Sequence, residues 1–83
     1  MAEKVLTIKI LSPEGTVFEG NADAIFLPGA ECPFEVLPDH APIISTLSKG
    51  EIRWRNAGSE ESVAVAGGVV RVKSNLVQVC AEF

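Results

Sequence analysis

Apolar and polar positions alternate along most of this chain. Leu6, Ile8 and Ile10 are separated by Thr7 and Lys9, and Ile52 and Trp54 alternate with Arg53 and Arg55. Val70 and Val72 alternate with Arg71 and Lys73, and Val77 and Val79 flank Gln78. Successive side chains of a strand point to opposite faces, so a period of two predicts strands with one face buried and one face wet. Turn signals separate the runs at short intervals: Ser12-Pro13-Glu14-Gly15, Gly20-Asn21, Pro28-Gly29, Pro38-Asp39, Lys49-Gly50, Asn56-Ala57-Gly58-Ser59, Gly67-Gly68 and Ser74-Asn75. No stretch of ten residues keeps a helical period. Ala41–Leu47 comes nearest, but Pro42 and the β-branched Ile43, Ile44 and Thr46 favour a strand there. The pattern predicts an all-β domain, mostly antiparallel, as a sandwich or a barrel.

Composition narrows what such a domain does. With 83 residues there is room for one domain, and 26 of them are Leu, Ile, Val or Phe, too many for a disordered chain. The longest run free of polar side chains, Val63–Val70, is eight residues with two Gly, too short to span a membrane. The N-terminal stretch carries Glu3, Lys4 and Lys9 through its apolar residues and lacks the apolar core of a signal peptide. Two Cys 48 positions apart make no disulfide framework, and one His with two Cys makes no ordinary structural zinc site. The formal charge is −4 and uneven: from Ile10 to Ser48 there is no Lys or Arg, while Glu14, Glu19, Asp23, Glu31, Glu35 and Asp39 all lie there. Such a footprint argues against nucleic acid and fits a basic protein partner.

Candidate chemistry is sparse. Arg53-Trp54-Arg55 has the composition of a stacking platform, yet alternation sends Trp54 to the core and both arginines to the wet face. Cys32 and His40 are a conceivable nucleophile and base, with Asp39 or Glu35 as orienting carboxylate. No helix start lies before Cys32 to activate its thiol. Gly67-Gly68 is not followed by the Lys-Ser/Thr of a phosphate loop. No catalytic residue, cofactor or metal is expected.

One ordered set of segments is more particular than generic β structure. It runs Ser12-Pro13-Glu14-Gly15-Thr16-Val17-Phe18-Glu19-Gly20, then Ala22-Asp23-Ala24-Ile25-Phe26-Leu27-Pro28-Gly29, then Phe34-Glu35-Val36-Leu37-Pro38-Asp39-His40-Ala41-Pro42, and ends with Val63-Ala64-Val65-Ala66-Gly67-Gly68-Val69-Val70-Arg71-Val72. This resembles the N-terminal β-sandwich domain of the epsilon subunit of bacterial F-type ATP synthase, called delta in mitochondria. The resemblance covers nearly all of residues 1–83. It implies two packed sheets of about ten short strands and a rotor subunit without chemistry of its own. Its partners would be the gamma subunit of the central stalk and the polar loops of the c-ring. Its place would be peripheral, on the cytoplasmic face of the bacterial inner membrane, coupling proton-driven rotation to the shaft. By position, the resemblance nominates Glu31, Phe34, Leu37, Pro38, His40, Ala41 and Pro42 as contact residues.

The chain departs from the family pattern in three places. Cys32, Pro33 and Glu35 stand where the family commonly has Gly, a polar residue and Gly, so a different loop path is expected. Asp39 replaces the usual corner glycine; Asp tolerates the left-handed region better than most residues, so the turn is expected to survive. The family continues into a two-helix hairpin that inhibits ATP hydrolysis, whereas Phe83 follows the last strand directly. A subunit that keeps the coupling role and lacks the inhibitory arm is therefore expected. The alternative is a free-standing β-sandwich module that binds another protein.

Overall fold

A computed structural model describes residues 5–83, which form nine strands and no helix. In order they are β1 (Leu6–Ser12), β2 (Gly15–Ala22), β3 (Ala24–Leu27), β4 (Phe34–Val36), β5 (Ile43–Leu47), β6 (Gly50–Asn56), β7 (Ser59–Val65), β8 (Gly67–Lys73) and β9 (Leu76–Glu82). Two hairpins close through two-residue turns whose central residues both have positive φ: Ala57 and Gly58 at 52° and 86°, and Ser74 and Asn75 at 51° and 63°. That geometry matches the right-handed twist of the paired strands, which is why such turns join hairpins so often.

The strands make two sheets. One has five strands in the order β2-β1-β9-β8-β5, and the other has four in the order β4-β3-β6-β7. The chain passes between sheets four times, through Asp23, Ser48-Lys49 and Ala66 and through the longer Leu37–Pro42 link. These crossings are bonded in place. The Asp23 N–H donates to the Arg55 carbonyl at 2.7 Å, and the Ala66 N–H donates to that of Glu82 at 2.7 Å. The Asp23 carboxylate also accepts the Ala57 N–H at 3.0 Å, which ties the β2–β3 crossing to the β6–β7 turn.

The core lies between the sheets, and the alternating residues fill it. Leu6, Ile8, Ile10, Val70, Val72, Val77 and Val79 face inward from the five-stranded sheet, meeting Ile25, Leu27, Val36, Ile52 and Trp54 from the other. Burying a Val, Leu or Ile side chain contributes about 1.5–3 kcal/mol, so this interleaved layer dominates stability. Phe18 covers one flank of it, its ring centroid 4.5 Å from that of Trp54. The sandwich follows the alternation closely. Trp54 is buried and both neighbouring arginines are exposed, as the strand phase requires.

The structure corrects two details. Gly20-Asn21 is not a turn; it lies inside β2, and the chain bends at Asp23 instead. A Cβ at Gly20 would stand 2.9 Å from the Phe18 ring, so glycine there makes room for an aromatic that closes the core. Gly67-Gly68 likewise begins β8. At Gly68 the backbone has φ 151°, and a Cβ would meet the Cys80 carbonyl oxygen and sit 2.9 Å from the Ala81 Cα. Both glycines serve close approach between neighbouring groups, which has the same sequence signature as a turn. The described residues hold nine strands in two packed sheets, in keeping with the about ten that the resemblance implied. The pairing is mostly antiparallel, as expected, with β1 and β9 running parallel from Thr7↔Leu76 to Leu11↔Cys80.

Candidate partner-contact surface

Five of the seven nominated residues, Leu37, Pro38, His40, Ala41 and Pro42, lie in one corner, and Glu31 and Phe34 precede it in the chain. After β4, the chain makes a turn over Leu37–His40, with the His40 N–H donating to the Leu37 carbonyl at 3.1 Å. Pro38 occupies the second position and Asp39 the third, with φ 66°. A proline second and a positive φ third define a type II turn, whose third position ordinarily calls for glycine. An L-residue in the left-handed region costs about 1–2 kcal/mol, less for Asp or Asn. Asp39 therefore keeps the turn, as its tolerance of that region predicts.

Bonds from outside the corner hold it. The Asp39 N–H donates to Oδ1 of Asn75 at 2.6 Å, and Nδ2 of Asn75 donates to Oδ1 of Asp39 at 3.2 Å. Nδ1 of His40 lies 2.8 Å from the Ala41 carbonyl oxygen. A carbonyl only accepts, so Nδ1 carries the proton in that bond, which leaves Nε2 as the acceptor nitrogen of the neutral ring. Leu37, His40, Ala41 and Pro42 are exposed, Pro38 is half-buried, and Glu31 lies on the exposed loop before β4. Phe34 differs: its ring is packed against the core beside Gly29. Five of the seven nominated residues are thus exposed, Pro38 and Phe34 are half-buried, and Phe34 also packs against the core.

Several of the acidic residues already have partners within the fold. Glu35 is ion-paired with Arg55 at 3.7 Å, Asp23 caps the β6–β7 turn, and Asp39 bonds to Asn75. Glu19 faces Lys9 across the β1–β2 ladder. The acidic half of the sequence is therefore not one acidic face. No hydrogen bond joins Cys32 to His40, and no group of three His, Cys, Asp or Glu side chains among the described residues is arranged to hold a metal.

The periodicity argument overlooked a second surface. On the outer face of the five-stranded sheet, Ile44, Arg71, Gln78 and Lys9 form one row across β5, β8, β9 and β1, and Thr46, Val69, Cys80 and Leu11 form the next. Ile44 is 70% exposed, Val69 44% and Leu76 43%, large values for branched aliphatic side chains. Among the described residues no carboxylate lies within ion-pairing distance of Arg71 or Lys73. A groove of about 500 Å³ runs from Pro42 along Ile43 and Ile44 to Arg71, Val72 and Lys73, joining the corner to this face. The signal was present in the sequence: Val69 and Ile44 fall on the polar phase of their strands, with Arg71 and Thr46.

The matched family decides what kind of sandwich this is. A family model described as the ATP synthase delta/epsilon chain β-sandwich domain matches residues 5–83. The chain belongs to this family. It is 40% identical over 76 residues to the ATP synthase epsilon chain of Desulfitobacterium hafniense, covering 92% of this chain and 58% of that one. It is also 40% identical over 80 residues to the epsilon chain of Wolinella succinogenes, covering 95% and 61%. The chain thus spans about three-fifths of the length of these relatives. The fold recurs in a chain of the Euglena gracilis mitochondrial ATP synthase, with a TM-score of 0.89 at 15% identity over 98% of this chain and 52% of that one. A chain of the Tetrahymena thermophila mitochondrial ATP synthase central stalk and c-ring gives 0.79 at 13% identity, covering all of this chain and 67% of that one.

Proposed function

We propose that this chain acts as a non-catalytic rotor part of a proton-translocating F-type ATP synthase, joining the gamma subunit to the c-ring. The family match across all described residues carries the reading. The surface is consistent with two simultaneous grips. The Leu37–Pro42 corner and the Glu31 loop would meet the polar c-ring loops. The outer face with Ile44, Val69 and Leu76 would dock gamma, its aliphatic centre giving adhesion and Arg71 and Lys73 giving orientation.

The physics of the role asks for stiffness more than for chemistry. A body that transmits torque between two partners must deform less than its interfaces slip. A sandwich with a close-packed interior, in which three of the four sheet crossings are one or two residues long, meets that need. Its working place would be peripheral, at the cytoplasmic face of the bacterial membrane.

Mixing the purified chain with a purified gamma subunit and measuring binding by calorimetry tests the reading. A 1:1 complex is expected, weakened by changes on the outer sheet face. If the folded chain forms no complex with gamma or with a gamma–c-ring assembly, the reading fails, and a free-standing protein-binding module takes its place.

A further inference from the structure

The third position of the corner turn is held by a residue 36 positions away in sequence. The turn's own bond runs from the His40 N–H to the Leu37 carbonyl, which leaves the N–H of the central Pro38–Asp39 peptide outside the turn. Asn75 accepts that N–H at 2.6 Å and returns a bond to the Asp39 carboxylate at 3.2 Å. Asn75 is itself placed by backbone: it is the second central residue of the β8–β9 turn at φ 63°, and its carbonyl accepts the Thr7 N–H at 2.8 Å.

A turn with proline second has two principal forms, which differ by rotation of the central peptide. A non-glycine residue in the third position favours the form with negative φ there, because its Cβ is crowded in the other. The corner nevertheless has φ 66° at Asp39. Rotating the central peptide would swing its N–H away from Asn75, so the Asn75 bond selects the form observed. His40, Ala41 and Pro42 follow that peptide directly, and its orientation sets where they are presented.

We propose that Asn75 is the positioning residue of the contact corner, holding the Leu37–His40 turn in its flipped form so that His40, Ala41 and Pro42 stand ready for a stalk partner. This rests on the reading that the corner and its adjoining face contact the stalk. A partner that recognises one form binds more weakly in proportion to the fraction of molecules in the other.

The test uses the full chain with Asn75→Gly and with Asn75→Gly/Asp39→Gly. Glycine is at home at φ 63°, so the hairpin is retained. The nuclear Overhauser effect between the Pro38 Hα and the amide proton at position 39 is strong in the flipped form and weak in the other, independent of any partner. In Asn75→Gly it is expected to weaken, with affinity for a c-ring–gamma assembly falling about 3- to 10-fold, the worth of one net hydrogen bond. In the double variant glycine favours the flipped form unaided, so signal and affinity are expected to return to within about twofold of the original. An unchanged Overhauser signal in Asn75→Gly overturns the proposal, and so does a weakened signal with unchanged affinity. If the unmodified chain does not bind the assembly, the contact reading falls instead. The Overhauser signal and its recovery in the double variant then decide whether Asn75 holds the turn.

Discussion

The two outer faces of the sandwich use the same materials to different ends. On the four-stranded sheet, Arg53 and Arg55 both lie over Phe26, their guanidinium carbons 5.4 and 5.5 Å from the ring centroid. Each also reaches a carboxylate, Glu60 at 3.8 Å and Glu35 at 3.7 Å. On the five-stranded sheet, Arg71 and Lys73 stand beside Ile44, Val69 and Leu76 with no such partners among the described residues. The first face satisfies its cations and shields its ring internally. The second leaves branched aliphatics in water, and that difference is why we propose it as the docking side. Exposure of apolar surface alone is ordinary; exposure beside cations that meet no carboxylate among the described residues, joined by a groove to the corner, is more particular.

The comparison can be broken at its shared floor. Trp54→Ala removes the largest buried ring, the Phe18 contact and the bond from Nε1 to Glu61 at 3.2 Å. A loss of about 3–5 kcal/mol is expected, enough to unfold much of so small a domain, measured by urea denaturation. Ile44→Asp probes the open face alone. Gamma affinity is expected to fall about tenfold or more, with stability changed by less than about 0.5 kcal/mol. Equal affinity would remove this face from the contact surface.

Smaller effects sharpen the contrast. Phe26→Ala takes the ring from beneath both arginines of the closed face and is expected to cost about 1–2 kcal/mol of stability while leaving gamma binding unchanged. His40→Ala is expected to leave thermal stability unaltered and to weaken stalk assembly about 3- to 10-fold, because its exposed side chain bonds, among the described residues, to the adjacent residue's carbonyl alone. A loss of folding with normal assembly would make His40 structural. Arg71→Gln should act mainly on rate: association with gamma slows a few-fold at low salt, and the difference fades as ionic strength rises. A salt-independent effect would mean that Arg71 is buried in the interface instead.

Much of this was legible from pattern. The Leu6–Ile10, Ile52–Trp54, Val70–Val72 and Val77–Val79 alternations each became a strand with the expected residues inward. Pro38-Asp39 became a turn, and the left-handed tolerance of Asp accounted for its φ. What escaped the pattern depended on neighbours distant in sequence. Gly20 and Gly68 read as turns because glycine signals permissive backbone, yet it was the Phe18 ring and the β9 backbone that required them. Ile44 and Val69 fall on the polar phase of their strands, but only the assembled sheets show that this phase forms one open face with Arg71 and Leu76.

By itself the sequence determined local geometry: the period of two set the strand faces, and proline, glycine and asparagine set the turns, because these preferences act within a few residues. The tertiary structure decided everything that needed residues far apart. It paired β1 with β9 in parallel, closed Arg53 and Arg55 over Phe26, and brought Asn75 to the Asp39 amide. Such contacts have no local signature, since the chain pays their closure entropy only when the whole core forms at once.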